Sequence, residues 1–169
     1  MYSKKAYNQK KENDTLVKKH TLKAVDSVEL KTVTIVGGWD YIQLSKHDKA
    51  VYVLKGKGSM SSPSEHLYLT KGVSFEALCD REIKISGQLQ YLCATPTTNK
   101  LEMKEEQFKG GWTTVITTTD SVVYVTDGLG FAKINNKTVR LEEGTIFEIP
   151  AGSTVEWNGF FHYVQFITK

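Results

Sequence analysis

Four histidines are the side chains of this 169-residue chain best suited to binding a metal or moving a proton: His20, His47, His66 and His162. They are far apart in the sequence and share no metal-ligand spacing. His20 lies in a lysine-rich stretch, whereas His162 lies in the last predicted strand. We interpret the four as unrelated surface or rim residues, so we expect no metal site.

His162 is the histidine that we consider for general acid–base catalysis. A histidine base can be paired with a second group that donates a proton, such as a phenol, and Tyr124 and Tyr163 are the candidates. Residues 162 and 163 are adjacent in a strand and therefore face opposite sides of the sheet. Tyr124 and Tyr163 also recur as Tyr52 and Tyr91, which favours packing as their role.

The chain contains one sequence pattern twice. A Gly-Gly-Trp triplet at 37–39 recurs at 110–112, and a Val-Tyr-Val triplet at 51–53 recurs at 123–125. The offset is 73 residues at the first triplet and 72 at the second, and it stays at 72 for Gly56 and Gly128, Gly72 and Gly144, and Phe75 and Phe147. Matches sustained over so many positions with one single-residue gap indicate two copies of one β-unit.

Short runs rich in Val, Ile, Thr, Tyr and Phe alternate with turn residues along both copies. Pairs such as Asp127-Gly128 and Asn135-Asn136 favour tight reversals. Many short strands of this kind predict a sandwich or a barrel. The best helix candidate is the stretch Leu101–Phe108 between the copies, and it could form one or two turns. The predicted strands are 32–36, 51–54, 67–69, 73–78, 89–94, 113–117, 122–126, 138–141, 145–149, 154–157 and 161–167.

Copy two resembles the cupin family, a small double-sheet jelly-roll barrel. The cupin pattern has a first motif G(X)5HXH(X)3,4E(X)6G and a second motif G(X)5PXG(X)2H(X)3N. Its framework glycines and proline fall on Gly111, Gly130, Gly144, Pro150 and Gly152. The final Asn is replaced by Gly159, and the four metal-ligand positions of the family fall on Thr117, Thr119, Val123 and Val155.

Copy one is similar to the same pattern, with a weaker second motif. Its ligand positions fall on Leu44, Lys46, Val51 and Ile83, and the one-residue gap between the copies lies inside the variable spacer of the first motif. The resemblance implies an all-β chain of two tandem cupin-type jelly-roll barrels, a bicupin formed by internal duplication. We predict a basic, flexible N-terminal arm over 1–23, barrel 1 over 24–96, a linker over 97–108 and barrel 2 over 109–169.

The resemblance also implies that the usual metal chemistry of the family is missing, because Thr, Val and Leu cannot supply imidazole or carboxylate ligands. We therefore expect no metal and no cofactor. The ligand-binding candidates are Thr117, Thr119 and Trp157 in barrel 2, where they are predicted to face the interior, and Lys46 in barrel 1. Trp157 is either core or a stacking platform for a sugar or base. Lys46 either points to the rim or meets an anionic ligand.

Three functions remain open. The leading hypothesis is a metal-free, non-catalytic module that binds a small molecule, anionic or sugar-like, or has a structural or interaction role. The second is a metal-independent isomerase or epimerase acting on sugar nucleotides, with His162 as base. The third is a protein-interaction module that uses the basic N-terminal arm.

Composition restricts the partners and the compartment. A net charge of +3 is too small to predict a nucleic-acid partner, although the lysine-rich arm could meet an acidic one. No run approaches 18 apolar residues, and the N-terminus lacks the apolar region of a signal peptide, so we expect a cytoplasmic protein without a membrane span. Cys79 and Cys93 are interpreted as reduced core cysteines. Exposed sheet edges make a homodimer possible.

Overall fold

The computed structural model describes residues 17–24, 28–42, 48–78, 81–96 and 101–168, with the backbone alone for 17–24. The described residues form eleven strands and no helix, which confirms the all-β prediction. No helix able to cross a membrane is therefore found in this part of the chain. The chain divides into two compact units, one made of residues 1–24 and 29–95, and the other of residues 25–28 and 96–169.

The first unit is built on one six-stranded sheet. In this sheet the strand order is β1-β2-β6-β3-β4, and β5 pairs with the first residues of β3. The strands in chain order are β1 (Val17–Ala24), β2 (Val28–Ile42), β3 (Lys49–Ser61), β4 (His66–Thr70), β5 (Ser74–Ala77) and β6 (Ile83–Pro96).

In its described residues the second unit repeats this arrangement without an equivalent of β1. Its five-stranded sheet has the order β10-β8-β11-β7, and β9 pairs with the second half of β8. The strands in chain order are β7 (Leu101–Ile116), β8 (Ser121–Ile134), β9 (Lys137–Leu141), β10 (Ile146–Ile149) and β11 (Thr154–Thr168).

The two units share a β-bulge as well as a strand order. In the first unit the pairing of β3 with β6 skips Leu54, and in the second the pairing of β8 with β11 skips Thr126. These two residues are related by the same offset of 72 that the sequence repeat shows. Because an extra residue bends a strand and increases its twist, the shared bulge curves the two long central strands in the same way.

Each unit has its own apolar core, formed where alternate residues of the long strands point to one side of the sheet. The core of the first unit is mostly aliphatic, with Ile35, Ile85 and Leu89 among its buried members. The core of the second unit contains a large aromatic component, with Phe147, Trp157 and Phe161 buried in it.

Two predictions about the segments between and before the copies need correction. The predicted helix over Leu101–Phe108 is wrong, because these residues are the first half of β7 and pair in register with β11, from Thr168 to Phe161. The predicted flexible arm over 1–23 is wrong for its last residues, because β1 pairs with β2 from Val17 onwards. Residues 1–16 lie outside the described part of the chain.

Candidate functional site

The first group of predicted site residues lies where two loops of the second unit meet. The Thr117 hydroxyl lies 3.2 Å from the carbonyl oxygen of Pro150 and 3.3 Å from that of Ser153. The backbone amide of Ala151 donates to the Asp120 carboxylate at 2.8 Å. The polar groups of these two loops are thus used to join the loops to each other.

The prediction that Thr117 and Thr119 face the barrel interior is wrong. Thr117 is half-buried and Thr119 is exposed. The reason is that β7 ends at Ile116, so the alternation of a strand no longer applies to the two threonines that follow it. Neither threonine is among the buried polar residues of the second unit.

The other two ligand positions of copy two do lie in the interior. Val123 and Val155 are fully buried members of the second core. Their equivalents in copy one, Val51 and Ile83, are buried in the first core. Saturated hydrocarbon side chains at these positions offer no lone pair to a metal, and they fill space that a ligand would otherwise take.

Trp157 is the centre of the aromatic cluster in the second core. Its ring stacks on Tyr163 at 5.4 Å between centroids and 17° between planes, and it lies 5.6 Å from Phe161. Phe147 and Phe108 lie at 5.8 and 6.5 Å. Only 6% of Trp157 is exposed, so its faces are occupied by the rings of the protein itself. The arrangement is that of core packing rather than of an open stacking platform.

His162 and Tyr124 do not form a catalytic pair in the interior. His162 lies between the buried residues Phe161 and Tyr163, is itself half-buried, and packs edge-on against Phe160 at 6.0 Å on the outer side of β11. Tyr124 is buried, and burial, with a smaller contribution from Glu143, raises the pKa of its phenol. A raised pKa makes this phenol a weaker proton donor, which is the role considered for it beside His162.

Two carboxylates that the sequence did not single out hold the repeated tyrosines. In the first unit the Tyr91 hydroxyl donates to Asp40 at 3.0 Å, and in the second the Tyr163 hydroxyl donates to Glu106 at 3.1 Å. Burial, and then the nearby carboxylate, raises the pKa of both tyrosines well above the ordinary value of 10.0. The two phenols therefore remain hydrogen-bond donors at any physiological pH.

The carboxylate partners come from different positions of the repeat. Asp40 lies near the end of β2, whereas Glu106 lies in the first half of the equivalent strand β7. The sequence offered no signal for either residue, because neither acid recurs in the other copy. Each tyrosine is preserved by the repeat, whereas the acid that accepts its hydrogen bond stands at a different position in each unit.

Trp39 and Trp112, the tryptophans of the repeated Gly-Gly-Trp triplet, lie at the surface. They are 48% and 53% exposed. A lysine ammonium lies over each ring, that of Lys84 at 5.2 Å from Trp39 and that of Lys133 at 5.9 Å from Trp112. These duplicated tryptophans are surface residues held by cation–π contacts.

The remaining candidates concern the first unit and metal binding. Lys46 lies outside the described residues, as do His47 and Cys79, while Cys93 is buried in the first core. Within the described ranges, no group of three or more His, Cys, Asp or Glu side chains is placed to hold a metal ion. Among the described residues, the candidates for ligand binding and catalysis therefore take part in core packing or in contacts that join two loops.

Comparison with known proteins supports the fold through structure rather than through sequence. No protein-family model and no curated protein sequence matches the chain. The cupin 2 conserved barrel domain protein from Leptotrichia buccalis matches with a TM-score of 0.69 at 14% identity, over 90% of this chain and 89% of that one.

Two further solved structures with different roles match equally well. A mutant of the salicylate 1,2-dioxygenase from Pseudoaminobacter salicylatoxidans matches with a TM-score of 0.70 at 10% identity, over 84% of this chain and 71% of that one. Procruciferin, an 11S globulin from Brassica napus, matches with a TM-score of 0.69 at 10% identity, over 90% and 84%. At such identities the likeness concerns the fold alone. Together with the duplicated strand order, it shows that the chain has the cupin fold, present as two jelly-roll domains in tandem.

Proposed function

We propose that the chain is a non-catalytic module with a structural or interaction role, built on a metal-free bicupin scaffold. The observation that carries this proposal is the interior of the second unit. Trp157 and its aromatic neighbours fill it, and Val123 and Val155 occupy positions that the cupin pattern gives to metal ligands. Small β-barrels of this kind are stabilised by a filled interior, and a filled interior has no place for a substrate.

The ionisable groups near the cores support the same role. General acid–base catalysis is most efficient when the pKa of the acting group lies near the working pH. The buried phenols of Tyr91 and Tyr163 have pKa values raised far above neutrality and donate to Asp40 and Glu106. These are contacts that fix side chains in place, and the isomerase hypothesis loses its base because His162 lies on the outer side of its strand.

The fold itself does not decide between catalysis and other roles. The same architecture is found in a protein named as a dioxygenase and in one named as a globulin. Function must therefore be argued from the residues in the interior. In the first unit the small-molecule hypothesis rests on Lys46, for which an anionic ligand is the natural partner.

The test is a native mass spectrum and an elemental analysis of the protein freshly purified from cells, with no added metal or ligand. We expect the mass of the bare 19.0 kDa chain or its multiples and no stoichiometric metal. Stoichiometric metal would overturn the proposal. A retained molecule of a few hundred daltons would also overturn it, and Lys46→Ala then identifies the site, since loss of that mass in the variant would place an anionic ligand in the first unit.

A further inference from the structure

We infer that the outer face of the second unit is a docking surface for a second copy of this chain. The surface centres on an apolar patch formed by Leu129 and Phe131 of β8, Phe160 of β11 and Trp112 of β7. All four are between 45% and 61% exposed. Leu129 is directly paired with Phe160, and Phe131 with Asn158, so the members lie on neighbouring strands and share one side of the sheet.

The first unit provides an internal control for this patch. Its β3–β6 pairing has the same register, with Lys57 opposite Gln88 where the second unit has Leu129 opposite Phe160. Ser59 stands where the second unit has Phe131. The scaffold folds with polar residues at these positions, so the fold does not require the apolar side chains of the second unit. Exposed apolar residues that the fold does not need indicate an interaction surface.

The polar and charged groups around the patch are arranged so that the face complements itself. Within the exposed part of this face, one end row carries Asp127 opposite His162, and the other end row carries Lys133 opposite Glu156. The rows that follow Asp127 on the same side, Tyr124 with Val164 and Val122 with Phe166, are buried. The corresponding rows of the first unit carry Lys55 opposite Gln90 and Lys84 opposite Ser61, so that face has cations only. Repulsion between like charges would oppose self-association through the face of the first unit. The face of the second unit has no such repulsion and can bind the same face of another copy.

A two-fold axis in the plane of the face and perpendicular to its strands exchanges the two end rows. In this arrangement Asp127 of one copy meets Lys133 of the other, and His162 meets Glu156. The two middle rows are exchanged as well, which places Leu129 against Phe131. An interface between identical subunits that are related by such an axis has to be complementary to itself. The face of the second unit meets this requirement.

The size of the patch matches that of an interface core. Three aromatic side chains and one leucine, each about half exposed, present on the order of 400 Å² of apolar surface. A standard interface covers about 800 Å² on each partner, of which a little over half is apolar. The surrounding polar residues supply the remainder as a rim. A nucleic acid is a less suitable occupant, because the face combines Lys109 and Lys133 with Asp127 and Glu156, and the two acids would repel phosphates.

The test uses residues of the first unit as replacements. The triple variant Leu129→Lys/Phe131→Ser/Phe160→Gln gives the second face the residues that copy one has at the same positions, and it is expected to fold. Sedimentation equilibrium of the full chain should show a dimer with a dissociation constant at or below about 10 μM. The triple variant should associate about 100-fold more weakly or not at all. Tyr68→Arg, which removes an exposed aromatic residue of the first unit, is the matched control and should remain dimeric.

A charge exchange separates this interface from a general effect on folding. Lys133→Asp alone should weaken the dimer about tenfold or more, and the double variant Asp127→Lys/Lys133→Asp should restore it. A wild-type chain that sediments as a monomer would overturn the inference, as would a dimer that persists in the triple variant. The inference rests on the interaction role proposed above, but different results would overturn the proposed function and the dimer. Bound metal or ligand overturns the function and leaves the dimer in place, whereas a bare monomer overturns only the dimer.

Discussion

The first and second units have the same strand order, the same bulge and the same pairing register, but they differ in what fills them and in what they expose. Ile85 and Leu89 of the first core are replaced by Trp157 and Phe161 in the second. On the outer side, Lys57 is replaced by Leu129. Positions that agree between the units show what the scaffold requires. Positions that differ show where the scaffold leaves the sequence free for another use.

The largest effect is expected at a position where the two units agree. Gly56 and Gly128 both have a positive φ, of +91° and +96°, and in both a Cβ would overlap the backbone of the neighbouring strand at Gln88 and Phe160. We expect Gly56→Ala and Gly128→Ala each to lower the free energy of unfolding by about 4 kcal/mol or more. Urea denaturation followed by circular dichroism measures this loss. Gly144→Ala is the control, because it shares the positive φ, at +88°, but has open space around it. A tolerated Gly128→Ala would show that the units do not share this requirement.

A smaller effect is expected in the core where the two units differ. Trp157→Ile introduces the residue that copy one has at this position, and it leaves a cavity between Phe147 and Tyr163. We expect a loss of about 3 kcal/mol, because the other rings cannot close the space fully. Hydrogen exchange should show lower protection in β8 and β11 with little change in β3 and β6. Trp112→Ile, at an exposed ring, should change stability by less than about 1 kcal/mol. An unaffected Trp157→Ile would mean that the aromatic cluster is not what stabilises the second core.

The sequence predicted the fold far better than the site, and the reason is physical. The strands and the glycines of the turns follow from local rules of alternation and positive φ, and these rules apply twice in this chain. The predicted positions of Thr117 and Thr119 were wrong because the alternation of strand residues was applied beyond Ile116, where β7 ends. The acids that bind Tyr91 and Tyr163 could not be predicted, because side chains far apart in the sequence meet there only through the packing of each unit.

The helix predicted over Leu101–Phe108 illustrates a related limit. Glu102, Lys104, Glu105 and Gln107 give this stretch the composition of a solvated helix, but the residues form a strand at the edge of the second sheet. Charged residues are also what protects an exposed edge strand from unwanted pairing. In the first unit the equivalent strand β2 has β1 beside it, whereas in the described part of the chain β7 has β11 alone. The charged residues of β7 therefore protect an exposed edge, whereas β2 is covered by β1 and does not need this protection.

The smallest effect concerns the hydrogen bonds of the repeated tyrosines, and it depends on pH. Tyr91→Phe and Tyr163→Phe each remove one bond to a carboxylate, which should cost about 1–2 kcal/mol at neutral pH. The pKa of each buried phenol is raised, so the unfolded chain loses the proton first as the pH rises above 10.0, the ordinary tyrosine value. The stability that depends on the protonated phenol is complete below that pH and is lost above it, by up to about 1.4 kcal/mol per pH unit for each tyrosine.

The alkaline loss should distinguish the two units. Tyr91 is the more deeply buried and its pKa is raised further, so Tyr91→Phe should flatten the fall in stability over a wider range above pH 10.0 than Tyr163→Phe. The measurement is the free energy of unfolding of the wild type and of each variant, from neutral pH to the highest pH at which the protein folds. The difference between wild type and variant excludes the contribution of the lysines, because all three proteins share it. Parallel curves for wild type and Tyr91→Phe would show that this phenol is not held protonated by the fold. The hydrogen bond from Tyr91 to Asp40 would then contribute no more than a solvent-exposed hydrogen bond. The two units would also lose stability at alkaline pH to a more similar extent than the burial of their tyrosines predicts.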